Sequence, residues 1–227
     1  MFGSPAFILL FRISYVKIAD KVLFMEGVGR DMDSMDKSFD IFFFDLDGTL
    51  TESSLGITNS VIYALKKFGI EETDRTKLYS FIGPPLTDSF EKFCGFTKEQ
   101  CAEAVRYYRE YYREKGIFEN HVYDGMEEVL KELKRRGKTL VVATSKPEPF
   151  ARQIIEHFGL DPYFDYVAGM ELSGGRGTKE EVIRYALCAC KIADKSKVLM
   201  VGDREHDVFG AHAAGMECLD LGQGKNL

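Results

Sequence analysis

The sequence predicts an α/β fold: a three-layer core built on a mostly parallel sheet, with an α-helical cap inserted into it. Three observations carry this. Short, nearly continuous apolar runs recur along the chain, amphipathic segments alternate with them from Gly125 onward, and a long helical stretch interrupts the pattern after the first run. A strand buried on both faces of a parallel sheet reads as an unbroken apolar run, because helices cover it above and below. Strand and helix in alternation are the mark of parallel crossover connections.

The first run is Phe39-Asp40-Ile41-Phe42-Phe43-Phe44, and it ends at a cluster of carboxylates. Residues 56–122 then break the alternation and read as a helical cap, with helices over Ile57 to Phe68 and over the tyrosine-rich Lys98 to Lys115. Between them, Phe81-Ile82-Gly83-Pro84-Pro85-Leu86 is a turn, since paired prolines fix the backbone and stop a helix. It serves either as a plain turn or as one wall of a substrate pocket. Tyr107, Tyr108, Tyr111 and Tyr112 have the spacing of a packed helix face, with a binding face as the alternative.

From there the pattern is regular. Helices are predicted over Gly125 to Arg136, Pro149 to Phe158, Lys179 to Ala189 and Asp207 to Ala214. Gly137, Gly159 and Gly215 follow three of them, where a C-terminal glycine cap belongs. Strands are predicted at Thr139-Leu140-Val141-Val142-Ala143, Tyr166-Val167-Ala168, Lys197-Val198-Leu199-Met200-Val201 and Glu217-Cys218-Leu219-Asp220-Leu221. The resulting division is a Rossmann-like core of residues 39–55 and 123–227, a helical cap of residues 56–122 and an N-terminal extension of residues 1–38. Within that extension, Met35 stands just before the first strand, so residues 1–34 read as an upstream segment.

Composition narrows the function classes. Apolar residues make up 45% of the 227 and charged residues 29%, ordinary values for a globular chain. The formal charge of −6 is spread along the sequence, so nothing favours nucleic acid or an anionic membrane as a partner. A small anionic substrate needs a local positive site instead. The run from Ala6 to Phe11 lacks a preceding basic residue, is interrupted by Arg12 and is far short of the roughly 20 residues of a spanning helix. The five cysteines form neither a CxxC pair nor a zinc-like grouping, and Cys188 and Cys190 read as packed or surface thiols. A cytoplasmic location is the expectation.

In an open parallel sheet, ligands bind beyond the carboxyl ends of the strands. The residues found there form a coherent set: Asp45 and Asp47 after the first strand, Thr144 and Ser145 after the second, and Asp203 and Asp207 after a later one, with Lys179 opening a helix. Two carboxylates one residue apart point differently and can divide the work of nucleophile and acid/base; alternatively, such a pair caps a turn. Gathered acids need a cation, and oxygen ligands suit magnesium shared with a substrate phosphate. Asp207 can equally be a carboxylate favoured by a helix N-terminus. Lys179, the Thr144 hydroxyl and nearby amides can meet phosphoryl oxygens.

The stretches Asp45-Leu46-Asp47-Gly48-Thr49-Leu50, Val142-Ala143-Thr144-Ser145, Lys179 and Gly202-Asp203-Arg204-Glu205-His206-Asp207 resemble the four ordered motifs of the haloacid dehalogenase-like hydrolase superfamily. The match spans roughly residues 39 to 221, and within the superfamily the chain is most similar to phosphoglycolate phosphatase-like members with a helical cap. The resemblance implies that Asp45 attacks phosphorus and Asp47 protonates the leaving oxygen, then activates water. It implies magnesium held by Asp45, the Asp47 main-chain carbonyl and Asp203, with Asp207 a ligand through water or an anchor. It further implies that Thr144 and Lys179 hold the phosphoryl oxygens. Asp47 itself separates phosphatases from the dehalogenases that lack it. Three departures stand out: Lys179 is followed by Glu180 rather than proline, Lys146-Pro147 makes Lys146 a rival cation, and Glu52 replaces the aspartate common after the nucleophile. The expected activity is hydrolysis of a small phosphorylated metabolite such as phosphoglycolate. A 5'-nucleotidase, a pyrophosphatase, a sugar phosphomutase and a regulatory homologue without turnover are the alternatives.

Overall fold

The computed structural model describes residues 39–172 and 175–222, so the expected N-terminal extension lies outside the described residues. Five strands form one parallel sheet: β1 (Ile41–Phe44), β4 (Thr139–Pro147), β5 (Tyr166–Met170), β6 (Val198–Gly202) and β7 (Glu217–Asp220). Their order across the sheet is β5-β4-β1-β6-β7, which puts the first strand in the middle. That is the doubly wound, Rossmann-like arrangement. Helices α4 (Met126–Arg135), α5 (Glu148–His157), α6 (Lys179–Ala189) and α7 (Glu205–Ala214) make the connections.

The phenylalanine run of β1 explains why it is central. Phe42 and Phe44 enter a cluster with Leu140, Val142, Leu199 and Val201 on one face, while Phe43 joins Val141, Ala143 and Met200 on the other. All three rings are fully buried, and each burial contributes about 1.5–3 kcal/mol. On the first face, α4 lays down Met126, Val129, Leu130 and Leu133, a spacing of three and four residues that makes one helical stripe. On the second, Val182, Ile183, Ala186 and Leu187 of α6 do the same.

Between β1 and β4 the chain leaves the sheet. A two-residue strand β2 (Thr51–Glu52) pairs antiparallel with β3 (His121–Val122), and every regular element between them is helical: α1 (Ser54–Lys67), a 3₁₀ turn (Arg75–Phe81), α2 (Leu86–Cys94), α3 (Lys98–Tyr111) and a π turn (Tyr112–Gly116). This helical insertion shares its buried apolar cluster with the α4 face of the sheet, Val61, Phe90 and Tyr108 being continuous with Phe44 and Leu140.

Several boundaries differ from those expected of the sequence. Helix α2 begins directly behind Pro84-Pro85, because a proline needs no helical hydrogen bond in the first turn and therefore starts a helix as readily as it stops one. Helix α7 begins two residues early, at Glu205, because the Asp207 carboxylate accepts the Arg204 N–H at 3.0 Å and seals the helix start. Strand β4 runs on past Ala143 to Pro147, with a break in register between them, and Thr144, Ser145 and Lys146 occupy that irregular stretch.

The foot of the insertion is tightly closed. A Cβ on Gly56 of α1 would sit 1.8 Å from the carbonyl oxygen of Gly116, so Gly56→Ala forces the two segments apart. We expect about 2 kcal/mol or more of destabilisation, read as a lower urea midpoint at unchanged slope. All five cysteines are free. Burial, with Asp207 and Asp220 nearby, pushes the Cys218 thiol up to about 12, which suits a packed thiol rather than a reactive one. Among the described residues no helix is long and apolar enough to cross a membrane.

Candidate active site

Strand register assembles the site. Phe44 lies opposite Val142 on one side and Val201 on the other, so the residues that follow these three positions emerge together at one sheet edge. Asp45 extends the ladder by one hydrogen bond, its N–H donating to the Val201 carbonyl at 2.9 Å. The chain then folds over in a tight loop in which the Leu46 carbonyl accepts from the Leu50 and Thr51 N–H groups at 2.9 and 3.0 Å. Gly48 makes this possible twice over. Its φ of +91° is one that other residues rarely adopt, and a Cβ there would lie 2.5 Å from Asp203 Oδ2. Thr49 Oγ1 donates to Asp203 Oδ1 at 3.3 Å.

Asp45, Asp203 and Asp207 are all buried, and an oxygen from each lies within 4.8 Å of the others. Lys179 answers them. Its ammonium donates to Asp45 Oδ1 at 2.6 Å and to the Ala143 carbonyl at 2.8 Å, and pairs with Asp207 Oδ1 at 2.8 Å. An ammonium has three donors, so all three are engaged. Lys179 is held there by local chemistry: Thr178 and Glu181 cap each other's N–H groups at the start of α6, a Thr-x-x-Glu signature legible in the sequence.

Lys146, the rival cation, is part of the same centre. Its ammonium lies 2.7 Å from Asp47 Oδ2 and 2.9 Å from the Tyr112 hydroxyl. Burial disfavours the charge on both lysines, but Asp47 and Tyr112 around Lys146, and Asp207 and Asp45 around Lys179, outweigh it and hold both above the ordinary lysine range. The sequence offered Lys179 and Lys146 as competitors; in the fold each serves a different carboxylate.

Thr144, Ser145, Asp45, Asp47, Lys179 and Asp207 border one cavity of about 220 Å³. Thr144 Oγ1 accepts from the Lys146 N–H at 3.2 Å, which turns the chain at the strand end. Across the cavity stand Phe81, the Pro84-Pro85 turn, Tyr108, Arg109 and Tyr112 of the insertion. Arg204 also borders it, with Nε 3.4 Å from Asp203 Oδ2. Arg109 and Arg204 were not singled out as site residues from the sequence, and Tyr112 only within a tyrosine cluster that had a binding face as its alternative. Arg204 had a signal, its place directly after Asp203; Arg109 had none, since a charged residue on an amphipathic helix reads as solvated.

The donor set fits a hard divalent cation. Asp45, Asp47, Asp203 and Asp207 face Lys146, Lys179 and Arg204, four carboxylates against three cations. Burial lifts the Asp207 carboxyl to about 6, with Lys179 opposing the shift and Asp45 adding to it. Oxygen-only ligands around an excess of negative charge are what magnesium binds.

Sheet order and the carboxylates at its strand ends define a Rossmann-like α/β core with a candidate site at the sheet edge. The chain belongs to the haloacid dehalogenase-like hydrolase family, whose sequence model matches residues 42–220. It is 49% identical over 181 residues to a 5'-nucleotidase of Pseudomonas aeruginosa, covering 80% of this chain and 81% of that one. It is 37% identical over 195 residues to the tyrosine-protein kinase PtkA of Mycobacterium tuberculosis, covering 86% of this chain and 66% of that one. Among solved structures, that of a predicted phosphatase from Clostridium acetobutylicum superposes with a TM-score of 0.77 at 48% identity, over 81% of this chain and 84% of that one. Phosphoglycolate phosphatases are also among its relatives. The chain is a phosphatase of this family.

Proposed function

We propose that the protein is a magnesium-dependent phosphatase that hydrolyses a small phosphorylated metabolite through an aspartyl-phosphate on Asp45. The observation that carries the reading is the Lys179 ammonium fixed 2.6 Å from Asp45 Oδ1 at the end of the central strand. It orients the carboxylate. An Asp45 oxygen forms a bond to phosphorus as the bond to the leaving alcohol breaks, and Asp47 donates the proton that the leaving oxygen needs. Asp47 then takes a proton from water, whose oxygen attacks phosphorus and releases Asp45. Thr144 and Ser145 hold the phosphoryl oxygens, and the Lys179 ammonium, its three donors taken, adds positive charge beside them. The helical insertion acts as the cap that closes the cavity.

Asp45, Asp203, Asp207 and the Asp47 main-chain carbonyl would hold the magnesium. When bound, the ion offsets the carboxylate charge and that developing on the phosphoryl group. Magnesium at about 100 times its Kd contributes about 2.7 kcal/mol, so the melting temperature is expected to rise by about 5–10 °C over that in chelator. Asp203→Asn should lose most of that rise. An equal rise in Asp203→Asn would remove it from the ligand set.

The wall opposite Asp45 and Asp47 favours a particular leaving group. Phe81, Val105, Tyr108 and Phe150 present hydrocarbon and ring faces, with Arg109 among them, which suits a nucleoside better than the compact, charged glycolate. This agrees with the relative named a 5'-nucleotidase. The test is phosphate release from a panel of nucleoside monophosphates, phosphoglycolate, pyrophosphate and sugar phosphates, with magnesium and with chelator. Magnesium-dependent release with highest kcat/KM on a nucleoside monophosphate is expected. Isomerised sugar phosphate without free phosphate would replace the reading with a mutase.

A further inference from the structure

The two buried lysines of the site are engaged differently. Lys179 spends its donors inside the core, on Asp45, Asp207 and the Ala143 carbonyl. Lys146 reaches out of it: one contact goes to Asp47 Oδ2 and the other, at 2.9 Å, to the Tyr112 hydroxyl of the insertion. This hydrogen bond joins the insertion to the acid/base carboxylate through a single ammonium.

Tyr112 is built to hold that position. It is 2% exposed. Its ring stacks on Tyr108 at 5.4 Å between centroids and 15° between planes, and meets Phe150 of α5 edge-on at 5.6 Å and 68°. Rings on both sides fix where the hydroxyl falls. Tyr112 also opens the π turn, a local widening of the helix that is frequent at functional sites. The other end of that turn, Gly116, is clamped against Gly56 of α1.

At the far end of the contact, Asp47 is held by one oxygen only. Oδ2 has Lys146, whereas Oδ1 is buried without a hydrogen-bond partner, on a residue that borders the cavity. An unpartnered buried acceptor is costly, and its persistence calls for an explanation in function.

We propose that Tyr112 is a positioning residue for the proton transfer to the leaving oxygen: it fixes Lys146, Lys146 holds Asp47 by Oδ2, and Oδ1 is the atom left to serve the leaving group. The proposal rests on the reading of Asp47 as the acid/base. Its consequence is that the acid is aligned only when the insertion is seated on the core. In the competing arrangement Lys146 is a phosphate anchor and Tyr112 an apolar wall, and loss of the hydroxyl then acts on KM.

The test uses the full chain with magnesium and para-substituted phenyl phosphates of similar size, from 4-nitrophenyl through phenyl to 4-methoxyphenyl. A good leaving group needs little proton donation and a poor one needs it fully. A positioned acid is worth about 10²–10⁴-fold, and a misplaced one forfeits part of that. In Tyr112→Phe, kcat/KM, which reports transfer to Asp45, should stay within about 3-fold of wild type on the 4-nitrophenyl ester and fall about 10- to 30-fold on the 4-methoxyphenyl ester. Lys146→Met should steepen the dependence in the same sense. Equal losses of kcat/KM on every ester, or wild-type behaviour in Tyr112→Phe, would each overturn the positioning role. Asp45→Asn separates this from the underlying reading. If it hydrolyses the series like wild type, the proposed chemistry fails and the positioning role with it. If it is inert while Tyr112→Phe keeps the wild-type slope, the positioning role alone fails.

Discussion

Asp45→Asn is expected to leave a folded protein whose magnesium-dependent hydrolysis of 4-nitrophenyl phosphate falls by about 10⁴-fold or more, the scale on which removing a covalent nucleophile acts. The amide keeps the size of the carboxylate and an oxygen that can still accept from Lys179, so the loss is chemical. It removes the negative charge that attacks phosphorus and one member of the acid cluster. Circular dichroism and the melting temperature should stay close to wild type, and no phosphorylated protein should be trapped on rapid acid quench. Turnover within about 10-fold of wild type would sink the covalent mechanism.

Lys179→Met should have the largest effect on stability. The ammonium lies between Asp45 and Asp207, and its side chain is 4% exposed. Removing one partner of a buried ion pair leaves uncompensated charge and costs about 3–5 kcal/mol, or about 10 °C in melting temperature for a domain of this size. Methionine fills the space of the lysine stem, so the loss reports charge rather than a cavity. The pH dependence has a definite sign. The Asp207 carboxyl already stands at about 6, above its unfolded value, so the folded chain binds the extra proton and this group's contribution improves as pH falls from about 6 toward 4. Without Lys179 the carboxyl rises further, and the recovery on acidification begins at higher pH. Thermal melts in chelator between pH 8 and 5 test this: a variant that loses stability steadily on acidification would contradict it.

The residues gathered at the candidate site were legible in the sequence because their placement depends on short-range order. A phenylalanine run ending at Asp45 and Asp47 reads as a buried strand with polar residues at its tip, Thr144 and Asp203 follow at later strand ends, and Lys179 opens the helix that precedes the last of these strands. Parallel pairing then brings those tips together whatever lies between, since β4 and β6 both align with β1. The helices of the core were visible for the same reason, as apolar residues three and four apart.

What the tertiary structure decided was how the charges divide. Residue order alone made Lys146 and Lys179 rivals; the fold gives Lys179 to Asp45 and Asp207, and Lys146 to Asp47. The tyrosine spacing in α3 and the turn beyond it was compatible with packing or with binding, and only the fold shows that the Tyr112 ring is packed while its hydroxyl meets Lys146. Distance across the chain sets such pairings: 34 residues separate Tyr112 from Lys146 and 134 separate Asp45 from Lys179. A linear pattern records which face a side chain takes on its own element, and only the packing of one element on another determines which charge it meets.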